Sequence, residues 1–403
     1  MTAYLAFAFF LFAFSTVAKR LSSTVVTAPM AFLAFGVLLD GVGLIPEDDF
    51  TEILHLVAEV TLVVLLFLDA AKINIFAVKK RHVWPERMLA IGLPVGFVLG
   101  IAVGWLIMPG WPLAAIALIS AILVPTDAAL GLSVVTNKAV PERARRALTI
   151  ESGLNDGLAL PLVLISAAFA SEAAFAPSDG WGWFITRQLV LGPIAGIVIG
   201  TVGAMSLARA TREKLTSDTF EGLAALALAA LSYTCALSIG GNGFIAAFVA
   251  GLSFGAIVRG QFEFVYEFTE SEGQLLSWVS FFLLGAVLVP EAIASLDMRS
   301  FVLILSSLVI VRPVAIWISL IGTDASPLTR LFFGWFGPRG LATALFAMLV
   351  YEDMVPEFGE SVLNIAINAV WISALLHGVT ATLCAPWFGN KTRNLPENIG
   401  EDS

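Results

Sequence analysis

The sequence predicts an all-α polytopic membrane protein of about 13 transmembrane helices, and three observations carry the prediction. Of the 403 residues, 58% are hydrophobic and only 13% charged, against roughly half and a quarter in soluble domains. Apolar runs recur from Ala3 to Trp387, at the ~20-residue length that a spanning helix needs. The basic residues fall into alternate loops, as the positive-inside rule requires. The net charge of -9 and the lack of a Lys/Arg block exclude a nucleic-acid binder. Cys235 and Cys384 sit inside apolar runs and read as small packing residues.

The segments run near 3–18, 24–45, 53–71, 88–108, 112–135, 146–170, 182–207, 219–239, 243–258, 274–290, 300–321, 329–350 and 361–387. The first and ninth are short enough to admit a re-entrant form. One set of loops holds Lys19, Arg20, Lys72, Lys79, Lys80, Arg81, Arg87, Lys138, Arg143, Arg145, Arg146, Arg209, Arg212, Lys214, Arg259, Arg330, Lys391 and Arg393. The other set holds only Arg187 and Arg299. That split predicts an odd number of spans in a cell inner (plasma) membrane, with the N-terminus outside and the C-terminus cytoplasmic. The first segment is expected to be retained, because Lys19 and Arg20 follow its apolar run and a signal peptide carries them before it. Acidic loops with Glu47, Asp48, Asp49 and Glu52, and with Glu352, Asp353, Glu357 and Glu360, read as solvated surface.

Ionisable side chains at membrane depth are costly and mark ion or proton paths. Here they are Glu59, Asp69, Asp127, Glu151, Asp156, Arg312 and Arg339. The densest cluster is Glu151-Ser152-Gly153-Leu154-Asn155-Asp156-Gly157 in the sixth segment. On a helix, Glu151, Asn155, Ser152 and Asp156 fall at about 0°, 40°, 100° and 140°, so four oxygen-bearing side chains share one broad face. That face suits a small hard cation, and apolar residues continuing through Leu160 argue against a mere helix cap. In the fifth segment, Pro125-Thr126-Asp127 predicts a helix break, since proline removes a donor and disfavours helix at the residue before it. Such a break frees carbonyls at the depth where transporters bind substrate. Gly337-Pro338-Arg339-Gly340 repeats the pattern in the twelfth segment. If the seventh segment is a connector, the fifth and twelfth are counterparts in two repeats of inverted topology. Arg339 is expected to pair with Glu151.

Taken together, Pro125-Thr126-Asp127, the run Glu151–Gly157 and Gly337–Gly340 resemble the monovalent cation/proton antiporter family of the NhaP and NHE type. Leu66–Ala70, Gly241–Phe248 and His377-Gly378-Val379-Thr380 support the match, which covers nearly the whole chain. His377 stands where many relatives have Gln. The resemblance implies crossed discontinuous helices in two inverted repeats, the NhaA/NhaP-like antiporter fold. It implies a single transporter domain over 1–390, with an ion-binding core including about 88–170 and 300–387. Dimerisation and scaffold helices are expected at about 3–45 and 182–258, and a short cytoplasmic tail at 391–403, too short for the regulatory domain of animal relatives.

The implied activity is exchange of Na⁺ (or Li⁺) for H⁺, with no cofactor and no enzymatic chemistry. Asp156 would bind cation or proton in competition. Na⁺ would be held by Asp156, Glu151, Ser152 and Thr126, the last through its backbone carbonyl, and Asp127 would order water or the opposing helix ends. Asn155 beside Asp156 resembles the electroneutral members, so one proton per cation is expected. Arg339, Glu59 and Arg312 would brace the fold, and a homodimer is implied. The alternatives are a K⁺/H⁺ antiporter of the same fold or a sodium-coupled organic-solute carrier on a related fold. No carbonyl-lined filter repeat favours a channel, and no His-Glu-x-x-His helix favours an enzyme.

Overall fold

A helix that spans a membrane satisfies its own backbone, and among the described residues every named element is a helix. The computed structural model describes residues 2–21, 24–45, 47–73, 83–171, 180–258, 263–351, 354 and 356–392. Lys79, Lys80, Arg81, His82, Arg259, Glu352, Asp353 and Arg393 lie outside the described residues, as do the side chains of Glu47, Asp48, Asp49, Glu52 and Glu357.

In order the helices are α1 (Thr2–Leu21), α2 (Ala28–Gly41), α3 (Glu47–Ala71), α4 (Val83–Ile107), α5 (Leu113–Leu123), α6 (Ala128–Val135), α7 (Glu142–Ala170) and α8 (Trp181–Arg212). There follow α9 (Asp218–Ser238), α10 (Gly243–Val258), α11 (Glu263–Val287), α12 (Val289–Ala294), α13 (Met298–Ser319), α14 (Pro327–Trp335), α15 (Leu341–Tyr351) and α16 (Pro356–Thr392). Counting α5/α6 and α14/α15 as one broken pass each, and leaving out the short α12, the described residues contain the thirteen predicted passes. The first is an ordinary 20-residue helix. The ninth pass, α10, has 16 residues, and 11 of them are buried. Shielded by protein, it does not have to match the bilayer by length.

Three paired features place the two halves in inverted register, seven passes apart. The fifth and twelfth passes both break, at Pro125 and at Pro338. The fourth and eleventh both contain a π-helical turn, Met88–Gly92 and Ser307–Val311, each followed at the second residue by proline, Pro94 and Pro313. The cause is steric: proline cannot donate to the carbonyl four residues earlier and its ring crowds it, and a widened turn relieves both. The third pairing is in the packing. α2 lies against α11 so closely that a Cβ on Gly285 would be 2.1 Å from Leu33 O. Its symmetry counterpart, α10 against α3, would put a Cβ on Gly251 2.1 Å from Phe67 O. Small residues allow this backbone approach in membranes, where no hydrophobic force drives helices together.

At the basic end, α4, α7 and the turn before α14 are clasped outside the spans. Arg143 donates to both oxygens of Asp324, at 2.6 and 3.0 Å. Trp84 Nε1 donates to the same carboxylate at 2.8 Å, and the Arg143 guanidinium lies 3.8 Å from the centre of the Trp84 ring. Partial burial acts to raise the Asp324 pKa, but the hydrogen bonds from Arg143 and Trp84 outweigh it and hold it below the ordinary 3.8. A depressed folded pKa stabilises above the unfolded value and loses its effect as pH falls through the folded one. The thermal-stability advantage of wild type over Asp324→Asn is therefore expected to be constant above pH 3.8 and to shrink below it. An advantage that grows on acidification would contradict the clasp.

Candidate functional site

The site forms where the two broken passes meet. α5 ends at Leu123 and α6 starts at Ala128, while α14 ends at Trp335 and α15 starts at Leu341. Each break exposes helix ends, with unpaired N–H groups and positive dipole at the N-termini, and free carbonyls and negative dipole at the C-termini. Two buried charges answer them. Asp127 Oδ2 accepts from Leu341 N at 2.7 Å and its Oδ1 from Leu130 N at 3.3 Å, so one carboxylate caps both α15 and α6. Asp127 N donates to Pro338 O at 2.8 Å, tying one break to the other. Arg339 Nη1 donates to Val124 O, Pro125 O and Gly337 O at 3.4, 3.3 and 3.1 Å, which serves the carbonyl ends. The approach is tight: a Cβ on Gly340 would stand 1.8 Å from Asp127 Oδ2.

α7 brings its polar face to this crossing. Glu151, 3% exposed, receives Arg312 Nη1 and Nη2 at 3.0 and 3.1 Å in a bidentate pair. The expectation that Arg339 pairs with Glu151 is thereby corrected. Arg312 follows the π turn of α13 directly and presents its fork to α7, whereas the Arg339 guanidinium is taken up by carbonyls of the breaks. Thr126 Oγ1 donates to Glu151 Oε2 at 3.3 Å and lies 3.3 Å from Ser152 Oγ. Asn155 Nδ2 donates to Thr126 Oγ1 and, at 3.4 Å, to Glu151 Oε1. Thr126, Glu151, Ser152, Asn155 and Arg312 thus form one hydrogen-bonded cluster in which Thr126 takes part through its hydroxyl.

Asp156 lies beside the cluster in a different environment. Its Oδ1 is buried without a hydrogen-bond partner. It lines a cavity of about 540 Å³ together with Asp127, Asp69, Ser133, Thr136 and Lys72. Lys72 and Thr136 are exposed, and both adjoin basic loops, so the cavity opens toward the basic end and reaches Asp156 and Asp127 at its depth. Lys72 Nζ is 4.0 Å from Asp69 Oδ1.

Glu59 does not join the site; it accepts a hydrogen bond from Tyr233 on α9 at 2.5 Å. His377 braces the second break. Its Nε2 meets Trp335 O at 2.8 Å and its Nδ1 lies 3.0 Å from Ser373 Oγ, which in turn accepts from Arg339 N at 2.7 Å. Nδ1 also lies 2.9 Å from Ser373 O, so both ring nitrogens face backbone carbonyls. Ser307 and Ser373, which contact Arg339, were not legible as site residues, because the Ser306-Ser307 pair and the lone Ser373 sit in apolar helices without a periodic polar signal. Pro94 and Pro313, which follow the π turns and so bear on the place of Arg312, read in sequence as ordinary helix prolines.

The transmembrane sodium/hydrogen exchanger family matches residues 6–386. The chain belongs to this family. Among curated relatives of this chain, the K(+)/H(+) antiporter NhaP2 of Shewanella baltica (strain OS223) is 28% identical over 370 residues, 88% of this chain and 61% of that protein. The K(+)/H(+) antiporter NhaP of Alkalimonas amylolytica is 26% identical over 402 residues, covering 97% of this chain and 67% of the relative. The chain spans 61 to 64% of the length of the Shewanella relatives. In fold, the chain is similar to the sodium proton antiporter MjNhaP1 from Methanocaldococcus jannaschii at pH 8, with a TM-score of 0.76 and 19% identity, covering 97% of this chain and 99% of that one.

Proposed function

We propose that the chain is a secondary active antiporter that exchanges Na⁺ or Li⁺ for H⁺ through competition at Asp156, with no cofactor and no enzymatic step. The observation that carries the reading is a charge count. At the crossing, the buried Arg312 and Arg339 are matched by the buried Glu151 and Asp127. Asp156 is left over, with Oδ1 unpartnered beside a cavity. A lone carboxylate in a low-dielectric site calls for one positive charge. A proton or a monovalent cation supplies it, and each excludes the other. Thr126, Ser152 and Glu151 stand beside it as further oxygen donors, and Asp127 holds the helix ends that frame the site. Asn155 carries no titratable group, so the two loaded states have equal charge and exchange is electroneutral.

In this reading the bundle over about 88–170 and 300–387 carries the ion past scaffold helices at about 3–45 and 182–258, which also form a homodimer. The chain sits in the plasma membrane with its N-terminus outside, and the cavity therefore faces the cytoplasm. Exchange in proteoliposomes at imposed membrane potentials tests the reading. The expected result is cation-driven proton movement whose end point does not depend on potential; a potential-dependent end point would overturn electroneutrality. K⁺ in place of Na⁺ is the second reading, favoured by the relatives named K(+)/H(+) antiporters, and running the assay with Na⁺, Li⁺ and K⁺ separates the two. Na⁺-stimulated uptake of an organic solute without proton counterflow would replace both.

A further inference from the structure

Beside the Glu151–Asn155 cluster lies a second, smaller cavity of about 40 Å³, walled by α4, α5, α7 and α13 and including Gly96, Glu151, Asn155, Ser307, Arg312 and Arg339. Three polar atoms of these residues, Arg312 Nε, Arg339 Nε and Asn155 Oδ1, are buried and make no hydrogen bond. The side chains that bear them are deeply enclosed, at 6%, 2% and 2% exposure. An unpaired buried donor or acceptor costs about 1 to 3 kcal/mol, so three beside one cavity call for an occupant.

The geometry points to a buried hydration site: the cavity holds a small cluster of water molecules that bond Arg312, Arg339 and Asn155 from behind. The chemistry of the wall selects water. Two N–H donors and one carbonyl acceptor need a ligand that both accepts and donates. A cation meets two guanidinium groups, and the carboxylate in the wall, Glu151, already has both oxygens bound by Arg312. An anion opposes Asn155 Oδ1 and unbalances the matched charges, and an acyl chain satisfies none of the three atoms. About 10 to 15 Å³ of such space holds one water, so the cavity has room for about three. The cluster acts through other residues. Water on Arg312 Nε fixes the fork that holds Glu151, and Glu151 in turn holds Thr126; water on Asn155 Oδ1 fixes the amide whose other end donates to Thr126. These waters are positioning elements for the ion site, carried within the same bundle.

Gly96 gives the means to test it. A Cβ built there meets Ala315 Cβ at 3.6 Å and Val124 Cγ2 at 3.8 Å, ordinary contacts, so Gly96→Ala adds a methyl group to the cavity wall without displacing backbone. Two measurements on the full chain in lipid nanodiscs bear on the site. The first is radiolytic labelling in ¹⁸O water, which marks side chains next to bound water even when they are buried. Met88 lines the cavity and is 1% exposed, while Met348 is 7% exposed and Met298 is 74% exposed. Met88 is expected to label more like Met298 than like Met348, and to label more slowly in Gly96→Ala. The second is cryo-electron microscopy at water-resolving resolution, which is expected to show separate peaks within hydrogen-bond distance of the three atoms. Met88 labelling no faster than Met348, an empty cavity, or continuous density of an acyl chain would each overturn the proposal. Cation exchange by the wild type is scored separately, so a failed hydration site is distinguishable from a failed transport site.

Discussion

Asp156→Asn is expected to reduce cation-driven proton exchange to the leak of empty vesicles while the protein still inserts and purifies as the wild type does. Asparagine keeps the shape of the side chain but removes its charge and its proton. The remaining buried charges, Arg312 and Arg339 against Glu151 and Asp127, then balance among themselves, and nothing at the crossing calls for a cation. Losing a charged contact of about 3 kcal/mol corresponds to roughly two decades in affinity, enough to empty the site at ordinary cation concentrations. The check is fluorescence dequenching of an imposed pH gradient in vesicles, with Na⁺, Li⁺ and K⁺ in turn. Full retained activity would place the exchange site elsewhere.

Arg312→Met is expected to be the most damaging single change to stability. Glu151 is 3% exposed and would lose both bonds of its bidentate partner, and an uncompensated buried charge costs about 3 to 5 kcal/mol. Adding Glu151→Gln removes the stranded charge while keeping an acceptor for Thr126. The double variant is therefore expected to regain most of the lost thermal stability. Arg339→Met should behave differently. It frees the carbonyls of Val124, Pro125 and Gly337, a defect that Glu151→Gln cannot repair. Double-mutant cycles on thermal unfolding separate the two pairs. A large favourable coupling between positions 151 and 312, with none between 151 and 339, is the expected pattern, and the reverse would contradict the site as described.

That pairing marks where the sequence stops being informative. The passes were legible because hydropathy and the alternation of basic loops are properties of the chain taken in order. The breaks at Pro125 and Pro338 were legible because proline acts on its own neighbours. The shared face of Glu151, Ser152, Asn155 and Asp156 was legible because helical phase is local. Which arginine meets Glu151 depends on how α13 and the break before α15 are rotated about α7, and no local rule fixes that rotation. The π turns decide it, by shifting the phase of α13 just before Arg312, and their cause, Pro313, reads in sequence as an ordinary kink. Glu59 shows the same limit from the other direction. It was expected to brace the fold, and its partner, Tyr233 on α9, is 174 residues away, where no local pattern could name it. Both cavities were invisible for a simpler reason: empty space between helices leaves no residue of its own in the chain.

The central claim is that one proton and one cation compete for Asp156. Calorimetry of cation binding to the purified protein, repeated at one pH in buffers of different ionisation enthalpy, measures how many protons leave as a cation arrives. Well below the pH at which the site titrates, binding is expected to release one proton per cation, with affinity falling about tenfold for each further unit of acidity. The same titration of Asp156→Asn should give no binding heat. Cation binding to wild type without proton release, or with release of two protons, would contradict the account.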